Sequence, residues 1–283
     1  MRIVGRTGLN SEMPTLHMTA SSSVIVKQEG GTRLQGVKKK SEPGRPLITV
    51  ITVVFNGAAT LENTIQSVAR QAYDNVEYII IDGASADGTL DIIKKHEHTI
   101  DYWLSEPDCG IYDAFNKAIS RVSGDYYLVL GCDDELFEDA IQQVVNTQLR
   151  HAGADFVVAS MWLGNRLRKG MRPSKGWLGA HAMVNGHSVG MLIRTKVHDQ
   201  LGPYSTRYTL CADGLFIKKL FYSGFRGVES DVVMGRFATG GVSNSNLARG
   251  LCEGFQVQLE TEKHKFLQVL IFIARLIKNF PRL

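Results

Sequence analysis

The chain has 283 residues, 44% of them hydrophobic and 21% charged, with a formal net charge of +4. That length suits one large α/β domain with extensions, or two small domains, and allows a sizeable core. A charge so mild gives no case for nucleic acid as a partner, which would favour a concentrated basic face.

Residues 1–45 are rich in Ser, Gly, Thr and Lys and contain the runs Lys38-Lys39-Lys40 and Pro43-Gly44-Arg45. They read as a flexible extension whose basic run suits either an anionic surface or plain solvation. The N-terminus lacks a basic segment followed by an apolar core, so no secretory signal is expected. The pattern then changes. Leu47 to Phe55 is a nearly continuous apolar, β-branched run, the mark of a buried parallel strand, and Asn56-Gly57 ends it. Leu61, Ile65, Val68 and Ala69 follow at helical spacing. Val76 to Ile81 predicts a second strand, Leu90, Ile92 and Ile93 a helix, and Ile111 to Val122 a longer one. Tyr126 to Leu130 predicts a third strand, Ala140 to Leu149 a helix, and Phe156 to Ala159 a further strand. This alternation predicts an α/β fold with a mostly parallel sheet and helices on both faces.

Ligands of such sheets bind beyond the carboxyl ends of the strands, so the polar residues there carry the functional argument. Asp82 directly follows one apolar strand, and Asp133-Asp134 follow another after Gly131-Cys132. The first strand runs into Asn56-Gly57-Ala58-Ala59, with neither a GxGxxG dinucleotide fingerprint nor a GxxxxGK[ST] phosphate loop. Adjacent carboxylates repel, and a divalent cation relieves them. Mg²⁺ in particular is often held by one or two carboxylates plus substrate phosphates. Taken alone, the pair fits equally well a solvated turn ahead of a helix. Four cysteines, Cys109, Cys132, Cys211 and Cys252, form no CxxC pair and read as free thiols in a reducing compartment.

Several pieces in order resemble bacterial family 2 glycosyltransferases of the GT-A fold, above all those that build colanic acid and other surface polysaccharides. They are Ile48 to Gly57, Thr64 to Val68, Gln71-Ala72-Tyr73, Glu77 to Thr89, Ser105 to Ala118, and Gly124 to Asp134. The resemblance covers residues 46–245, divided into a nucleotide-sugar half (46–150) and an acceptor half (151–245). It implies that Val53 and Phe55 frame the base and ribose of the donor, that Asp82 accepts from the base, and that Asp108 lines the donor pocket. It also implies that Asp133 neighbours the ribose or phosphate, that Asp134 is the direct ligand of Mg²⁺ or Mn²⁺, and that Asp213 is the catalytic base. His187 to Leu192 resembles an acceptor-side strand. For Asp108, and likewise for Asp213, a capping role remains open. Gly83 stands where a second Asp is common, and Cys132 where Ser, Thr or Asn is usual.

The implied reaction is inverting transfer from a nucleoside diphosphate sugar to a saccharide or lipid-linked saccharide hydroxyl. The rival readings are a nucleotide-sugar pyrophosphorylase, which would carry a Gly-rich basic loop after the first strand, and an inert membrane-scaffolding subunit. Residues 246–283 are expected to form a helical segment. From Lys263 on, that segment pairs an apolar stretch, too short to span a bilayer, with Lys265, Arg275 and Lys278. It suits a helix lying on an anionic membrane, or one packing on protein. The expected location is therefore cytoplasmic, peripheral on the inner face of the inner membrane, with homo-oligomerisation left open.

Overall fold

A computed structural model of the protein describes residues 27–171, 189–240 and 246–282. His187, at the start of the expected acceptor-side strand, lies outside the described residues. In chain order the first half runs β1 (Gln28–Gly30), β2 (Ile48–Val54), α1 (Leu61–Ala69), β3 (Val76–Asp82), α2 (Thr89–Lys95), β4 (Tyr102–Ser105), α3 (Ile111–Ile119), β5 (Tyr126–Val129), β6 (Glu135–Leu136) and α4 (Ala140–Arg150). The second half runs β7 (Phe156–Leu163), β8 (Arg166–Arg168), β9 (Met191–Arg194), α5 (Val197–Leu201), α6 (Ala212–Tyr222), β10 (Gly227–Phe237), α7 (Leu247–Thr261) and α8 (Lys265–Asn279).

The strands form one sheet in the order β1-β4-β3-β2-β5-β9-β7-β10-β6, with β8 on β7. Pairings within β4-β3-β2-β5 are parallel, as is β7 with β10, while β9 and the short flanking strands run antiparallel. Every residue of β2, Ile-Thr-Val-Ile-Thr-Val-Val, is buried, because helices cover both faces. Ile48, Val50 and Val54 pack with Leu61 and Ile65 of α1, Ile93 of α2 and Ile141 of α4. Ile51 and Val53, pointing the other way, pack with Tyr112 and Phe115 of α3 and with Leu215 and Phe216 of α6. Truncating one such residue to Ala costs about 2–5 kcal/mol. The strand ends are thus held rigidly, and the carboxyl ends of β2, β3, β4 and β5 share one edge.

The stretch up to residue 45 differs from the expected flexible extension from Gln28 onward. β1 adds to the open edge of β4, with Gln28 opposite Ser105 and Gly30 opposite Trp103. Arg33 pairs with buried Glu77 at 3.0 Å and Lys39 with buried Asp101 at 2.9 Å. Buried carboxylates need a paired cation, and these two bases supply it instead of being solvated.

α7 lies against both α6 and α8. Phe255 of α7 stacks on Phe272 of α8 with ring centroids 4.3 Å apart. Among the described residues no helix is long and apolar enough to cross a membrane.

Candidate active site

Two loops at the carboxyl edge are stitched together. The N–H of Asn56 donates to Ser85 Oγ (2.7 Å), that of Gly57 to Thr89 Oγ1 (2.9 Å) and that of Ala58 to Asp87 Oδ2 (3.0 Å). The N–H of Ala86 returns to Asn56 Oδ1 at 3.0 Å. The hydrogen bond from the Thr89 hydroxyl, followed by that from the Ala58 N–H, holds the Asp87 carboxyl below its ordinary value. Asn56 adopts a left-handed conformation (φ 51°), which Asn tolerates better than most residues, and this turns the chain sharply at the end of β2. Phe55 is left 65% exposed beside the edge, whereas Val53 is buried in β2.

Asp82 closes β3 and is fully buried. Its carboxylate accepts from the Ser85 N–H (3.2 Å), the Ser85 hydroxyl (2.5 Å) and the Ser105 hydroxyl (2.6 Å). Asp108, in the loop after β4, is half-buried, and its Oδ1 accepts from the Gly110 N–H at 2.8 Å. It therefore makes a local turn; the N-cap of α3 is Gly110 and has no side-chain cap.

After β5 the chain makes a tight turn in which the Asp134 N–H donates to Gly131 O (3.1 Å) and Asp134 Oδ2 accepts from the Gly131 N–H (3.0 Å). Asp134 Oδ1 accepts from the Ala238 N–H at 2.9 Å, and its carbonyl accepts from the Thr64 hydroxyl at 2.8 Å. At 1% exposure, Asp134 joins the end of β5 to α1 and to the exit of β10. Asp133 is half-buried, and its carboxylate accepts no hydrogen bond from the described residues. Burial, then the charges of Asp133 and Asp134, push the neighbouring Cys132 thiol up to about 11. The turn thus sets two adjacent carboxylates beside a largely buried thiol.

Asp213 lies in the first turn of α6, one residue inside the helix, and the N-cap is Cys211. Its Oδ1 accepts from the Tyr112 hydroxyl of α3 at 2.9 Å and from the Gly214 N–H at 2.7 Å. Burial, then the Asp213 charge, raises the Tyr112 hydroxyl far above its ordinary value, so it stays protonated and donating. The loop leading into α6 is in turn held by Glu253 of α7. Its carboxylate accepts from the Thr209 N–H (3.0 Å) and hydroxyl (2.7 Å), the Leu210 N–H (2.8 Å) and the Cys211 N–H (3.1 Å). Neither Tyr112 nor Glu253 was singled out by the sequence; Tyr112 lies within the Ser105–Ala118 resemblance without a role of its own, and Glu253 lies 40 residues beyond Asp213. A shallow hollow lined by Gln143, Asn146, Leu149, Arg150 and Val232 includes none of these acids.

Residues 49–221 match the family model described as "Glycosyl transferase family 2", more than half of the chain. The chain belongs to glycosyl transferase family 2. It is 28% identical over 186 residues to a PGL/p-HBAD biosynthesis glycosyltransferase of Mycobacterium bovis, covering 62% of this chain and 70% of that one. Over 113 residues it is 33% identical to the putative teichuronic acid biosynthesis glycosyltransferase TuaG of Bacillus subtilis, covering 39% and 45%. Among solved structures, S. aureus TarS 1–349 in complex with UDP superposes with a TM-score of 0.60 at 18% identity, covering 83% of this chain and 72% of that one. The mannosyltransferase PcManGT from Pyrobaculum calidifontis, in complex with GDP-Man and Mn²⁺, superposes at 0.57 with 16% identity, covering 88% and 80%. The fold is GT-A and the protein is a glycosyltransferase.

Proposed function

We propose that this glycosyltransferase moves a sugar from a nucleoside diphosphate sugar to a hydroxyl of a saccharide or lipid-linked saccharide, with inversion, in the synthesis of a surface polysaccharide. The observation that carries the donor reading is Asp133. It is an open carboxylate at the carboxyl end of a central strand, next in sequence to a second carboxylate, Asp134. Such a position favours a cation-bound diphosphate. Among the described residues no cluster of three His, Cys, Asp or Glu could hold a metal by itself. One hard carboxylate sharing Mg²⁺ or Mn²⁺ with the donor phosphates fits these residues, with Asp133 as the protein ligand. Asp134 suits that role less well, since both its oxygens already take backbone donors. When bound, the ion would neutralise charge on the leaving diphosphate.

Asp213 then acts as the general base. It takes the proton of the acceptor hydroxyl as the new C–O bond forms and the bond to the diphosphate breaks. Tyr112 orients it by donating to Oδ1. The test is release of nucleoside diphosphate from a panel of UDP- and GDP-sugars, with Mn²⁺ and with EDTA. Release from at least one donor supports the reading. Full release in EDTA overturns the metal role, and no release from any donor with a glycan or lipid-linked acceptor overturns the transfer.

For its location, the reading rests on α8. Phe266, Leu270, Ile273, Ile277 and Phe280 form an exposed apolar stripe. After Glu262 the sequence has no acid but carries Lys263, Lys265, Arg275, Lys278 and Arg282. Such a helix suits an anionic membrane surface, with its apolar side chains in the interface and its cations at the headgroups.

A further inference from the structure

A closed ring of hydrogen bonds lies in the core behind Asp213. Burial lowers the pKa of His198 and raises those of Tyr127 and Tyr204, so all three side chains stay neutral. His198 of α5 places Nδ1 2.9 Å from the carbonyl oxygen of Gly202. A carbonyl only accepts, so Nδ1 carries the ring proton and Nε2 presents a lone pair. The Tyr127 hydroxyl of β5, 2.9 Å from Nε2, therefore donates to it. That leaves the Tyr127 oxygen to accept from the Tyr204 hydroxyl at 2.8 Å. The chain of bonds closes on itself, because Gly202 stands two residues before Tyr204.

What this ring holds in place is the Tyr204 side chain. Its aromatic ring is buried between α3 and α6, with its centroid 6.2 Å from that of Tyr112, 5.7 Å from Phe115 and 4.6 Å from Phe216. Asn116, one turn along α3 from Tyr112, grips the Tyr204 backbone in both directions. Its Nδ2 donates to Tyr204 O at 2.9 Å, and its Oδ1 accepts from the Tyr204 N–H at 2.8 Å. Apolar side chains could fill such a space, but a satisfied buried polar network fixes one arrangement of it. The element fixed here is the aromatic surface on which Tyr112 stacks, and the Tyr112 hydroxyl donates to Asp213 Oδ1. We infer that Tyr204 is a positioning residue for the proposed base: held by Tyr127, His198 and Asn116, it seats the Tyr112 ring so that its hydroxyl meets Asp213. This rests on the reading of Asp213 given above.

The experiment is a double-substitution cycle on the full chain. It reads kcat and donor KM for release of UDP or GDP from the donor panel above, in Mn²⁺. Tyr112→Phe removes one hydrogen bond to a charged group and should lower kcat about 10-fold with donor KM unchanged. Tyr204→Leu removes the ring that seats Tyr112 and should lower kcat by a similar factor, again with donor KM unchanged. In the Tyr112→Phe background it should cost nothing further, because the hydroxyl it positions is gone. A side chain that merely supports α6 through Phe216 would multiply the two losses, and that outcome overturns the inference. An unchanged kcat in Tyr204→Leu overturns it too. Should the cavity left by Tyr204→Leu prevent folding, Asn116→Ala frees the same segment from a half-buried position and is read in the same cycle. Asp213→Asn separates the two readings. Turnover retained there removes the base and this inference with it, as does a wild type that releases nothing from any donor. Turnover lost there, with losses at Tyr204 and Tyr112 that multiply, removes this inference alone.

Discussion

Glu253→Ala tests how the proposed base, Asp213, is positioned. The carboxylate takes four donors from three consecutive residues, two on each oxygen. Leu210 and Cys211 are half-buried and Thr209 is exposed, so water replaces the lost acceptor well at Thr209 and poorly at the other two N–H groups. A hydrogen bond to a charged group contributes about 1.5–3 kcal/mol. Taking the low end at the two half-buried sites, and little at Thr209 because exposure screens it, gives a loss of about 3 kcal/mol. That is a fall of roughly 6–12 °C in melting temperature for a domain of this size. The pH dependence gives a second handle. Burial raises the Glu253 carboxyl, but the hydrogen bonds from Thr209, Leu210 and Cys211 outweigh it and hold the group below its ordinary value of 4.5. A depressed folded-state value means that the stabilisation is fully present above pH 4.5 and lost as pH falls through the lower folded value. Thermal melts of wild type and variant should therefore differ most near neutral pH and converge in acid. Because Asp213 lies two residues past Cys211, turnover should fall while donor affinity holds. Equal melts at pH 7, or a gap that widens in acid, would refute the capping role.

Asp213→Asn should cut turnover by at least about 100-fold with donor affinity kept, and Tyr112→Phe should lower turnover by a smaller factor; a steady-state comparison of kcat with donor KM decides it. Asp133→Asn should abolish Mn²⁺-stimulated turnover without moving the melt, whereas Asp134→Asn should lower the melt by several degrees, because two half-buried backbone N–H groups lose a charged acceptor that is itself buried. Calorimetry and metal titration separate those outcomes. Replacing Ile277 and Phe280 by Glu should release the full chain from anionic vesicles in a sedimentation assay while donor turnover persists; undiminished sedimentation would remove the membrane from the account.

The doubly covered strands were the most legible part of the chain. β2 and β3 read as unbroken apolar runs because both faces are buried, and α1, α3 and α4 read through their single apolar stripes. β10 did not read, since its alternating exposure leaves Glu229, Asp231 and Arg236 within the strand. β1, Gln-Glu-Gly, has no strand character of its own and exists because β4 offers it an open edge. The basic residues of the extension looked solvated for the same reason. What fixes Arg33 and Lys39 is two carboxylates 44 and 62 positions away.

The acids of the site were legible as positions but not as states, and the difference is physical. A strand-end carboxylate is placed by the local run of residues, yet its freedom depends on donors from elsewhere. Asp82 is closed by Ser105, 23 positions on, and Asp134 by Ala238, 104 positions on. Asp213 is aimed by Tyr112, 101 positions back. At both acid positions in the first half of the chain one carboxylate is consumed by the fold while another, Asp108 or Asp133, is left open beside it. That division has a mechanical logic. A saturated carboxylate fixes its turn through several hydrogen bonds at once, so the open neighbour is presented in one place, and the ordering entropy of that turn is met on folding rather than on binding. It follows that mutating the closed members should register first in stability and the open members first in affinity or turnover.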